Sequence, residues 1–159
     1  KSMLADSQFS ARLQSTKKLE DVNADDYEGV YIPGGYGLLF DLVDSETSQA
    51  LIRKVYEDNK PVAAVCHGPA TLSRVKLSDG SALIADRQVT GFTREEEIAM
   101  NTLDKIPFLL EEAMIDSGGV YRKKSKWSVL VVEDGRLITG QNPASAKDVG
   151  VALARALAA

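Results

Sequence analysis

The sequence predicts an α/β fold, with a mainly parallel sheet covered by helices. Three observations carry this expectation. Apolar segments of strand length alternate along the chain with segments of helical periodicity, the pattern of βα units. The run Pro61-Val62-Ala63-Ala64-Val65-Cys66 is apolar without alternation, which suits a strand buried on both faces. Two special loops, Gly34-Gly35-Tyr36-Gly37 and Cys66-His67-Gly68-Pro69, each follow a strand-like segment. Open α/β sheets bind their ligands beyond the carboxyl ends of the strands, so the two loops are expected to face one pocket.

The elements follow in chain order. Residues 8–20 carry a weak apolar stripe of Phe9, Leu13 and Leu19 and are expected to form a short helix. Residues 28–33 read as a strand running into the glycine loop. Residues 45–58 read as an amphipathic helix on Leu51, Ile52, Val55 and Tyr56, with Asp44 or Ser45 as N-cap. Residues 61–66 form the buried strand, and Pro69 suits the first turn of a following helix. Residues 88–92 read as a strand. Thr93 caps the next helix, with Glu96 at capping-box spacing. A helix is expected over 105–117, opened near Pro107 and stopped by Gly118-Gly119. Residues 127–132 alternate as a strand, Asp134-Gly135 signals a hairpin, and 137–139 is the return strand. Asn142-Pro143 reads as the N-cap and first residue of an Ala-rich final helix.

Composition narrows the function. The chain has 159 residues, about one domain, with enough length to bury a core. Its net charge of −4 argues against nucleic acid as a partner, since phosphate binding needs a basic footprint. No apolar run is long enough to span a bilayer, so no membrane partner is expected. The chain starts at Lys1 without an initiator Met, and no apolar strand opens it. Residues 1–22 are therefore expected to be the polar remnant of a longer N-terminal region, with the α/β domain over 23–159 and the first strand region missing.

There is one cysteine, so no intrachain disulfide can form, and a reducing, cytoplasmic setting fits. There is also one histidine, and the two are neighbours, Cys66-His67. One of each makes a poor ligand set, so no metal is expected. The glycine loop lacks a following P-loop lysine, so no nucleotide cofactor is expected either. A free cysteine is often only a small buried hydrophobe. Here it ends a buried strand, stands beside the sole histidine and opens a Gly-Pro helix start. That context points to a nucleophile at a strand–helix turn, where a helix N-terminus lowers the thiol pKa and backbone N–H groups can hold an oxyanion. A basic histidine needs an orienting partner. Glu95, Glu96 and Glu97 all follow the 88–92 strand, and the residues alone leave the three open.

The segment Ala63-Ala64-Val65-Cys66-His67-Gly68-Pro69-Ala70 closely resembles the nucleophile motif of the ThiJ/PfpI superfamily, in its heat-shock chaperone and glyoxalase III branch. Four further segments agree in order and spacing: 23–27, 34–41, 89–93 and 134–145. The resemblance implies a flavodoxin-like three-layer sandwich, commonly a homodimer, with a Cys-His-acid triad. It places the acid four residues past Thr93, on Glu97. It implies oxyanion donation by Gly35 and His67 and substrate contact from Gly34 and Tyr36, where the branch commonly has His at the Tyr36 position. The branch also carries a glutamate near the start of its fold that hydrogen-bonds the cysteine. No counterpart is present here, and a separate N-terminal chain or segment is the expected source.

Three functions are then in play. The leading one is cofactor-free, glutathione-independent conversion of methylglyoxal and related 2-oxoaldehydes to hydroxy acids through a cysteine thiohemiacetal. The second is a cysteine hydrolase: a peptidase, amidase or protein deglycase. An amidotransferase uses a histidine far downstream of its cysteine, and this sequence holds no second one. The third is a holdase chaperone or redox-sensing stress protein.

Overall fold

The computed structural model describes residues 5–159. Residues 1–4 of the polar N-terminal segment lie outside it. The main sheet has four strands: β1 (Val30–Ile32), β2 (Val62–Val65), β5 (Val131–Asp134) and β6 (Leu137–Gly140), in the order β1-β2-β6-β5. The β1–β2 and β2–β6 pairs are parallel, and β5–β6 is an antiparallel hairpin. The fold is thus α/β with a mainly parallel sheet. Two short parallel strands, β3 (Gln88–Val89) and β4 (Val120–Tyr121), form a separate ribbon. Among the described residues β1 has a strand neighbour on one side only.

Helices cover both faces, and the sequence shows why. Successive residues of a strand point to opposite faces. Val62 and Ala64 of β2 join one buried cluster with Ile52, Val55 and Tyr56 of α2 (Glu46–Glu57). Ala63 and Val65 join another with Val149 and Ala152 of α5 (Ala146–Leu157). Both sides of β2 are thereby dry, as its unbroken apolar run requires. Ser45 caps α2 by accepting from the Ser48 N–H.

Several boundaries differ from expectation. α1 spans Ser7–Gln14 rather than 8–20. Asp6 caps it, and Ser15 ends it with its hydroxyl turned back to the Ala11 carbonyl. Its stripe residues Phe9 and Leu13 stay exposed, so no core face sustains it further. α4 is Leu110–Asp116, which leaves Pro107 outside the helix. The expected 127–132 strand begins at Val131, because Trp127 takes a left-handed backbone (φ 67°) that a strand does not allow. β3 stops at Val89, where the Thr90 N–H turns to the Thr139 hydroxyl. The helix expected after Cys66 is a 3₁₀ helix over Gly68–Arg74. Asn142 does not cap the last helix. Its side chain donates instead to Glu96 and to the Ser128 carbonyl.

Candidate active site

The site sits beyond the carboxyl ends of β1 and β2. Cys66 follows β2 directly and holds φ 60°, a left-handed conformation costly for a residue with a side chain. This sharp turn lifts the sulfur out of the sheet, as a nucleophile elbow does. Its neighbours are small because nothing else fits. A Cβ on Gly34 would lie 2.6 Å from Cys66 Cβ and 3.0 Å from Sγ. A Cβ on Gly68 would collide with the Ile32 carbonyl oxygen. The two special loops therefore interlock through glycine.

The structure joins three of the expected residues into one line. Cys66 Sγ lies 3.4 Å from His67 Nδ1. His67 Nε2 lies 2.7 Å from Glu97 Oε1. His67 and Glu97 are each 1% exposed, so water screens their interaction little. Glu97 projects from α3 (Arg94–Met100), which the expected Thr93–Glu96 capping box starts. Among the three glutamates left open by the residues, Glu95 instead pairs with Lys123 at the surface. Glu96 is buried and ties down the pocket's loops. One of its oxygens accepts from the Thr93 N–H and hydroxyl, the other from the Trp127 N–H, Gln141 and Asn142.

The imidazole is held between two rings. Tyr36 and Phe92 have centroids 4.3 and 4.5 Å from the His67 ring. The backbone N–H groups of His67 and Gly35 lie toward the Cys66 sulfur and favour its thiolate. They are placed to stabilise negative charge there. Their pull does not decide the thiol's state, however. Burial raises its pKa from 9.0 to about 11, so the lowered value expected at a helix start is corrected. The cysteine is 8% exposed, and only a 3₁₀ helix follows it. Burial also lowers the His67 pKa, against the opposing pull of Glu97. At neutral pH the resting pair is thiol and neutral imidazole.

Tyr36 differs in detail from the expected substrate donor. Its ring lines the pocket, while its hydroxyl reaches Glu97 Oε2 at 3.1 Å and Thr102 Oγ1 at 3.2 Å. The pocket, about 420 Å³, is also walled by Tyr31, Phe92, Met100 and Trp127 around Cys66. Sequence reasoning missed Thr102, Met100 and Trp127. Of these, Thr102 had a signal: Asn101 is a common residue for a left-handed helix stop. Among the described residues no cluster of His, Cys, Asp or Glu could hold a metal ion, and no helix is long and apolar enough to cross a membrane.

A buried-strand cysteine elbow with an adjacent histidine and a buried acid, on a mainly parallel α/β sheet, defines a cysteine-centred α/β protein. The profile of the DJ-1/PfpI family matches residues 4–156, and the chain belongs to that family. It is 35% identical over 160 residues to the probable glutathione-independent glyoxalase hsp3103 of Schizosaccharomyces pombe, covering 96% of this chain and 61% of that protein. It is 35% identical over 152 residues to the glutathione-independent glyoxalase HSP31 of Saccharomyces cerevisiae, covering 92% and 64%. In structure it resembles glyoxalase III from Candida albicans with a TM-score of 0.90 at 30% identity, covering 95% and 66%. The chain thus spans less than two thirds of the length of these relatives.

Proposed function

We propose that this chain carries the nucleophilic centre of a glutathione-independent glyoxalase acting on 2-oxoaldehydes such as methylglyoxal. The observation that carries the reading is the unbroken line from Cys66 Sγ through His67 to Glu97, beneath a pocket whose walls are mostly apolar. The pocket lining includes no Lys, Arg, Asp or Glu, which suits a small uncharged aldehyde.

The chemistry follows from the resting state. The thiol is neutral, so attack needs a base, and His67 Nδ1 is in place to take the proton. Sγ bonds to the aldehyde carbon. The carbonyl oxygen takes the charge, then the proton, with the Gly35 and His67 N–H groups as donors nearby. His67, neutral again once the oxygen is protonated, takes the carbon-bound hydrogen of the hemithioacetal as a proton, which gives an enediol. A proton returns at the neighbouring carbon. The aldehyde carbon is oxidised to a thioester as the ketone carbon is reduced to an alcohol, so no outside oxidant is needed. Water cleaves the thioester, releasing the hydroxy acid and the thiol. Glu97 keeps His67 oriented and stabilises its protonated form.

The test is lactate formation from methylglyoxal without glutathione, with Cys66→Ala as control. Turnover that disappears in the variant supports the reading. Equal turnover by both proteins overturns it.

A further inference from the structure

The far side of the Glu97 carboxylate is built as deliberately as the side that meets His67. α3 ends at Asn101, whose backbone is left-handed (φ 55°). The Asn101 N–H bonds to the Ile98 carbonyl at 3.1 Å, and the Thr102 N–H to the Glu97 carbonyl at 3.2 Å. This pair is the Schellman pattern, which folds the chain back over the last turn of a helix. The consequence is specific. Thr102 is brought back beside Glu97, and its hydroxyl bonds to Glu97 Oε2. Tyr36 reaches the same oxygen from the glycine loop after β1, at 3.1 Å, and lies 3.2 Å from the Thr102 hydroxyl. Each hydroxyl has one proton to give. They either both donate to Oε2 or form a chain in which one hydroxyl donates to the other and that one donates to Oε2. In every arrangement one carboxylate oxygen is anchored while the other faces His67 Nε2 at 2.7 Å.

We propose that Tyr36 and Thr102 are positioning residues that lock the Glu97 carboxylate toward His67, so that His67 can accept the Cys66 proton. The clamp rests on the Cys66–His67–Glu97 relay proposed above. Tyr36 has two holds on that relay, because its ring also packs on the imidazole at 4.3 Å between centroids. A carboxylate on a flexible side chain, bonded at one oxygen only, can rotate away from its histidine. Two hydroxyls arriving from separate elements remove that freedom. The other charged or titratable group acting on Cys66 and His67 is Glu96 of α3, whose carboxylate is itself tied to Thr93, Trp127, Gln141 and Asn142.

The test reads Cys66 directly, without the aldehyde reaction. The rate of alkylation by iodoacetamide is measured against pH for the wild-type chain and for Tyr36→Phe, Thr102→Val and Thr102→Ser, with folding checked by circular dichroism. Thr102→Val and Tyr36→Phe are each expected to slow alkylation at pH 7 about tenfold, the scale of one hydrogen bond to a charged group. Both are expected to move the half-maximum to higher pH, and Thr102→Ser is expected to return rate and profile to wild type. Wild-type rates and profiles in folded Tyr36→Phe and Thr102→Val would overturn the clamp. So would a slowed Thr102→Val that Thr102→Ser fails to rescue. Should Thr102→Val not fold, Tyr36→Phe decides alone. The two readings separate cleanly. Shifted profiles with no lactate from the wild-type chain would uphold the clamp and remove the glyoxalase reading.

Discussion

The reactivity proposed for Cys66 depends on its surroundings, and those surroundings allow little change. Its sulfur touches the space where a side chain on Gly34 would be, 3.0 Å from Sγ. Gly34→Ala is therefore expected to push the sulfur off its line with His67. Displacements on the order of 1 Å at a reacting atom cost about a hundredfold in rate. Steady-state turnover and alkylation rate, measured on the same variant, check this. The neutral thiol makes a second prediction. With a pKa raised to about 11, alkylation of Cys66 in the absence of aldehyde is expected to climb steadily between pH 8 and 11. A plateau already reached at pH 7 would contradict the buried, neutral state.

At the scale of elements, α3 is the device that assembles the site. Its first turn buries Glu96, its middle presents Glu97, and its stop returns Thr102. Glu96 stands outside the proposed relay, yet it gathers donors from Thr93, the Trp127 backbone, Gln141 and Asn142. It thereby joins the helix to the loop before β5 and to the end of β6. Glu96→Ala would leave these buried donors unpaired, at about 1–3 kcal/mol for each group that water cannot reach. A loss of roughly 3 kcal/mol or more in denaturant unfolding is expected, and the left-handed Trp127 is expected to lose its place over the pocket. Trp127 fluorescence reports the second effect. Thr93→Ala removes the helix cap and one of the donors to Glu96, and is expected to cost less than Glu96→Ala, about 1–2 kcal/mol.

Across the whole molecule, buried ionisable groups make folding depend on pH at both ends. The Cys66 and Tyr121 pKa values are raised by burial in the folded state. Their contribution is intact below the unfolded values of 9.0 and 10.0 and is lost as pH rises beyond them. The His67 pKa is lowered by burial, so its contribution is intact above 6.5 and is lost as pH falls below that. Denaturant midpoints are therefore expected to be highest between about pH 7 and 8.5 and to decline on both sides. His67→Gln is expected to remove part of the acid-side decline.

How much of this was legible depended on the distance over which each cause acts. Local causes were written in the residues. The unbroken apolar run of 62–65 gave a strand buried on both faces, and Thr93 with Glu96 gave the helix start as expected. The Cys66-His67 pair at a strand end marked the site by composition alone, because each is the sole residue of its kind. The acid was not legible in this way. Glu95, Glu96 and Glu97 are alike as residues, and the resemblance to a known family, not spacing, pointed to Glu97. Only the fold separates them, since three consecutive helical positions face a surface lysine, a buried hub and the histidine. Asn142 read as a helix cap, but its amide nitrogen donates to the buried Glu96 carboxylate and the Ser128 carbonyl, and its amide oxygen accepts from the Ser145 hydroxyl rather than from a helix N–H. The thiol's raised pKa was likewise decided by tertiary structure. A turn at a helix start favours the thiolate locally, while the dry packing that disfavours it comes from residues distant in the chain. The sequence by itself determined the candidate nucleophile and its neighbouring histidine, Cys66 and His67, and the buried strand that leads to them. The tertiary structure decided which carboxylate meets His67 and how that carboxylate is held, because both depend on contacts between elements that no local pattern encodes.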